Sequence, residues 1–94
     1  MLYKEESEKI VERFSPTTKL VILDRKGQEG IYMGKTNEIL ITYDWNIAGL
    51  LHELTHARLY LAGIEDKHDR HFADELTKVV GIYLDEFVNK KGEI

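Results

Sequence analysis

The chain has no cysteine. A disulfide framework is therefore excluded, and so is any metal site that needs a thiolate ligand. The absence fits a reducing interior and is also compatible with secretion. A single proline in 94 residues argues against a disordered, low-complexity segment. No apolar run approaches the roughly 20 residues of a membrane-spanning helix, so no membrane partner is expected. Positive charge is not in excess: 13 Lys and Arg stand against 17 Asp and Glu, with no basic block. A nucleic-acid surface is not indicated at this net charge of −4. The stretch Lys4-Glu5-Glu6 carries acids where a secretory signal needs a basic start and an apolar run, so a cytoplasmic location is expected.

What remains is an ordinary globular composition, 43% hydrophobic, sized for one domain over residues 1–94. Residues 2–14 read as an amphipathic helix with Leu2, Tyr3, Ile10, Val11 and Phe14 on the apolar side, ended by Ser15-Pro16. Residues 19–23 (KLVIL) read as a short buried strand, residues 30–34 as a second and residues 38–43 (EILITY) as a third. The short turns between them predict antiparallel neighbours. Asp44 or Asn46 caps a helix over residues 47–62, with Ile47, Leu50, Leu51, Leu54 and Leu61 as core face and Gly63 as stop. A second helix starts near Asp66 or Asp69 and carries a stripe of Phe72, Leu76, Val79, Val80, Tyr83, Leu84, Phe87 and Val88. Residues 89–92 stop it. The expected class is α+β: an N-terminal helix, a three-stranded, mainly antiparallel sheet, then two helices packed on one face.

The chemistry is concentrated in His52-Glu53-Leu54-Thr55-His56. Two histidines four apart on a helix lie one turn apart and point the same way. That spacing suits two imidazole nitrogens on one Zn²⁺ at about 2.0–2.1 Å. Glu53 follows the first ligand and is placed to act as general base on a metal-bound water. With 4 His and 11 Glu in the chain, random placement produces the pattern in roughly 2% of sequences, so its flanks have to support it. They do, because Leu51 and Leu54 place the histidines beside a core face, where an imidazole pair needs partners.

A catalytic zinc takes a third protein ligand and keeps an open position. The metzincin continuation fails, since its glycine and histidine positions hold Leu59 and Ala62. The candidates are His68, His71 and Glu75. In an ideal helical hairpin centred near Ile64, residues 72 and 76 lie level with 56 and 52, which favours His71 or Glu75; a longer loop brings His68 into range. Ala48 and Gly49, small and close to the motif, leave room either for substrate or for helix packing.

With His68-Asp69-Arg70-His71-Phe72 following HELTH, residues 38–76 resemble the SprT-like and WLM zinc peptidases. Their pattern is HELxH, a variable loop, then H-(G/D)-x-x-F. The resemblance implies a minimal zincin, His68 as third ligand and Phe72 packing beneath. It also implies that the last strand, residues 38–43, edges the cleft and pairs with an extended peptide. Size, element order and the eighteen residues between His56 and Glu75 resemble the minigluzincins as well, and that likeness implies Glu75 instead. The expected function is zinc-dependent cleavage of a peptide or protein substrate, with His52, His56 and His68 as ligands and Glu53 as base. Tyr43, Tyr60, Tyr83, Arg70 or His71 is the expected second electrophile. The alternative is a catalytically silent or latent zincin-fold module that binds metal. The long last helix and charged tail leave self-association open.

Overall fold

The computed structural model describes residues 4–65 and 67–89. The class is α+β, with three helices and a three-stranded mixed sheet. Helix α1 (Lys4–Phe14) buries Ser7, Ile10, Val11 and Phe14; Leu2 and Tyr3 lie outside the described residues. Strands β1 (Lys19–Leu23), β2 (Gly30–Met33) and β3 (Glu38–Thr42) follow, then α2 (Ile47–Leu61) and α3 (Arg70–Tyr83). The last helix continues as a π-helical stretch, Leu84–Asn89. Among the described residues no helix is long and apolar enough to cross a membrane.

The strand order is β1-β3-β2, which corrects the antiparallel expectation. β2 and β3 form the expected antiparallel hairpin, with Asn37 in the left-handed conformation (φ 54°) that asparagine tolerates in turns. β1 and β3 are parallel. The loop of residues 24–29 explains this. Six residues reach up to about 20 Å, enough to step over one strand position and leave a slot about 9.5 Å wide for β3. The Asp44 carboxylate fastens that loop by accepting from the Gly27 and Gln28 amides at 3.1–3.2 Å. Asn37 fastens the other end: its side-chain oxygen accepts from the Thr18 and Tyr32 hydroxyls and its amide donates to the Thr17 carbonyl.

Two further expectations change with the topology. β3 is the central, buried strand and has no edge to offer a peptide; β1 is a half-buried edge. The edge beside α2 is β2. Period-two alternation puts Ile39 and Ile41 in the core with their neighbours Leu20, Ile22 and Tyr32, while Leu40 and Ile31 point to the other face.

α2 is the hub of the core. Leu50, Leu51, Leu54, Ala57 and Leu59 are buried, whereas Leu61, expected inside, is half exposed. The helix is enclosed by the sheet, α1 and α3, so its apolar surface is wider than one stripe. On α3, Phe72 and Val79 are buried, but Leu84 and Val88 are exposed. They fall in the π-helical stretch, whose i→i+5 bonding widens the turn and rotates the stripe out of register. Arg13 of α1 holds that stretch through a two-pronged contact with Glu86 at 2.7 and 2.8 Å.

Trp45 lies between Gly30 and Gly49. A Cβ on Gly30 would fall 1.1 Å from the indole, and one on Gly49 2.2 Å from it. Gly49 therefore makes room for Trp45. Gly30→Ala is expected to lower stability by about 1–3 kcal/mol, the usual cost of overpacking. A urea midpoint that falls at unchanged slope checks it.

Candidate metal centre

The caps of α2 place the motif. Asn46 accepts from the Gly49 amide at 2.8 Å and starts the helix. At its other end the Gly63 amide donates to the Tyr60 carbonyl and the Ile64 amide to the Leu59 carbonyl. This is a Schellman stop, and Gly63 takes the left-handed φ of 74° that it requires. His52 and His56 therefore sit one turn apart within continuous helix, with Nε2 atoms 3.1 Å apart.

His68 comes from the loop before α3 and brings its Nε2 to 3.4 Å from that of His52. Its φ is 54°, a left-handed conformation that costs a non-glycine residue about 1–2 kcal/mol. The three ligand atoms lie within 4.8 Å of one another, and the trio could hold a metal ion. Two nitrogens at 2.0–2.1 Å from a common tetrahedral ion are about 3.3–3.4 Å apart. The spacings of 3.1 and 3.4 Å fit that edge. Three imidazole donors with no thiolate suit zinc among the divalent ions, without selecting it alone.

Phe72 is the floor. Its ring centroid is 4.8 Å from His52, 4.7 Å from His56 and 4.8 Å from His68. Asp69 sets this register by capping α3, accepting from the His71 amide at 3.0 Å and putting Phe72 in the first turn. Partial burial opposes ionisation of Asp69, but the hydrogen bonds from His71 and the Phe72 amide outweigh it and hold the carboxyl below its ordinary value. Phe72→Ala removes a residue only 7% exposed. The expected cost is about 3–5 kcal/mol, which lowers the thermal midpoint by more than about 10 °C in a domain of this size. Calorimetry of the metal-free chain checks it.

The other two candidate ligands are placed elsewhere. The Glu75 carboxylate accepts from Arg58 Nε at 2.6 Å, and the same guanidinium donates to the Phe14 carbonyl that ends α1. By level along the hairpin Glu75 belongs opposite Glu53. Arg58, however, is two residues past His56, roughly 200° further round the helix. Level along a hairpin does not set the angle of approach. His71 is exposed, its Nδ1 3.5 Å from Asp69. Asp74 faces Arg70 at 3.8 Å.

Glu53 is 8% exposed. Its Oε1 accepts from the Tyr32 amide of edge strand β2 at 2.8 Å, and its Oε2 is 4.0 Å from His52 Nε2. The carboxylate thus bridges the edge strand and the histidine trio. A cleft of about 720 Å³ opens beside it, lined by Glu53, His56, Ile31, Tyr32, Lys35, Tyr60 and Ile64 among others. Of the proposed electrophiles, Tyr60 lines this cleft, Tyr83 stacks on Phe87 at 5.7 Å, and Tyr43 lies just past β3. Burial, and secondly the neighbouring Tyr60, push the Tyr32 phenol above its ordinary value, so it stays protonated and donates to Asn37. The Tyr32 amide and Lys35 were not among the site residues expected from the sequence. No local pattern marks them, because their role depends on which strand becomes the edge.

Comparison with known proteins gives no match to any family model, curated protein or solved structure.

Proposed function

We propose that this chain is a zinc-dependent peptidase of minimal zincin type. The observation that carries the reading is the convergence of the His52, His56 and His68 Nε2 atoms beside a nearly buried glutamate that also lines an open cleft. The donor spacings suit tetrahedral zinc, as argued above. His68 and Phe72 occupy the positions of the H-(G/D)-x-x-F pattern, which favours the SprT-like and WLM likeness over the glutamate ligand of the minigluzincins. A cytoplasmic place of action goes with this reading.

When bound, Zn²⁺ supplies a Lewis acid for the scissile carbonyl and acidifies water. The protein's own groups do the rest. The Tyr32 amide fixes Glu53 Oε1, and Oε2, on the histidine side, is the oxygen that takes a proton from the attacking water. The same oxygen then returns that proton to the leaving amine. An extended peptide lies along β2, the edge strand of the cleft, rather than along β3. Lys35 is the cleft group suited to meet the developing oxyanion.

The test is incubation of zinc-loaded chain with a mixed peptide pool. Cleavage that a chelator abolishes and added zinc restores supports the proposal. A second reading is a metal-binding module without turnover, favoured by the Tyr32 amide already occupying a Glu53 oxygen. Stoichiometric zinc with every peptide intact supports that one.

A further inference from the structure

The cleft beside Glu53 and His56 has mostly apolar walls. Ile31 on the edge strand is 57% exposed, Tyr60 on α2 52% and Ile64 beyond the helix stop 38%. Large apolar side chains left in water together, next to a polar centre, mark a surface that another molecule covers. The walls are also built to stay in place. The Tyr60 ring meets the Tyr32 ring edge-on, with centroids 5.8 Å apart and planes at 66°. Gly34 lets Tyr60 lie against the hairpin turn: a Cβ there would fall 2.5 Å from the Tyr60 ring. The Schellman stop at Gly63 turns the chain so that Ile64 closes the far end.

The cleft carries charges of both signs. Lys35 stands against the carboxylates of Glu53 and Glu65, of which Glu53 is held by the Tyr32 amide and Glu65 lies 3.5 Å from Lys67. A charged side chain entering the cleft loses water and meets groups of both signs, whereas an apolar one gains burial. About 720 Å³ is room for a bulky side chain and its flanking backbone. The cleft is continuous with the base, so the residue it holds belongs to the peptide being cut.

We infer that this cleft is the specificity pocket of the site, selecting a large aliphatic or aromatic side chain next to the scissile bond, with Ile31 and Tyr60 as the selecting residues. The inference rests on the peptidase reading above. It predicts that kcat/KM for peptides carrying Phe, Leu or Met at that position exceeds kcat/KM for Asp, Lys or Gly by roughly 10- to 100-fold, the selectivity that apolar pockets provide.

The experiment digests a position-randomised peptide pool with zinc-loaded chain and reads the cut sites by mass spectrometry. Tyr60→Ala and Ile31→Glu are run in parallel, each first verified as folded by circular dichroism and as zinc-loaded by metal content. Tyr60→Ala should flatten the apolar preference about 10-fold, and Ile31→Glu should shift it toward Lys and Arg. Calorimetric binding of the same peptides to zinc-loaded Glu53→Gln gives a second readout, in which the apolar series binds tighter. Cleavage without apolar preference, or a preference that both variants leave unchanged, overturns this inference and leaves the peptidase reading standing. No cleavage of any peptide together with no binding to the Glu53→Gln form overturns both.

Discussion

Glu53→Gln is expected to keep its zinc and lose nearly all hydrolysis, with kcat down by about 10²–10⁴, the usual contribution of a placed general base. The substitution is close to ideal for this site. The amide oxygen of glutamine still accepts from the Tyr32 amide, so the bridge between β2 and α2 survives. What disappears is the ability to take a proton at the second oxygen, the one 4.0 Å from His52 Nε2. Stability should therefore change by less than about 1 kcal/mol, and zinc content should not change, because the His52, His56 and His68 nitrogens are untouched. Three measurements belong together: zinc per chain, thermal midpoint and initial cleavage rate. Undiminished cleavage by a folded, zinc-loaded Glu53→Gln chain would remove the glutamate from the mechanism and with it the reading of the motif.

The second large effect concerns His68. His68→Ala should weaken zinc binding by at least about 100-fold, since even groups that merely orient a ligand histidine are worth 10- to 100-fold. Glu75→Gln and His71→Ala should keep full uptake, because the structure pairs Glu75 with Arg58 and leaves His71 beside Asp69. Binding to the folded state alone should raise the wild-type stability by about 2.7 kcal/mol at free zinc 100-fold above Kd. That corresponds to roughly 10–20 °C in thermal midpoint for a domain of this length. The rise should be small in His68→Ala and intact in the other two. His68→Gly separates ligation from backbone strain. It removes the imidazole and also relieves the φ of 54°, so the metal-free form should be as stable as wild type or more so, while the zinc-dependent gain is lost. Retention of stoichiometric, tight zinc in His68→Ala, or its loss in Glu75→Gln alone, would transfer the third ligand from the loop to the helix.

The local features were legible because their rules are local. The i, i+4 spacing of His52 and His56, the asparagine cap at Asn46, the stop at Gly63 and the Asn37 turn all act within a few residues. Period and capping alone sufficed to read α2 to within a residue of its ends, and the three strands nearly as closely. The order of those strands was not legible. A six-residue loop fits an antiparallel neighbour or a step across a gap equally well, and the choice rests on Asp44 reaching back to the Gly27 and Gln28 amides. That choice made β2, not β3, the sheet edge beside the three histidines. Leu61, Leu84 and Val88 were misjudged for a related reason: hydrophobicity shows that a residue favours burial, but not whether another element arrives to cover it.

The same division runs through the candidate metal centre. Two histidines and a glutamate on one turn of helix are specified by adjacency in the chain, since helical geometry carries them to one side whatever surrounds them. The third donor is a question of long-range geometry. His68 meets His52 across sixteen positions because a left-handed residue in the connecting loop and the Asp69 cap bring it there, while Arg58 draws Glu75 to the other side of α2. The floor under the rings and the grip of the Tyr32 amide on Glu53 likewise arise where separate elements meet. Such contacts depend on the summed packing of sheet and helices, and no single stretch of the chain contains them.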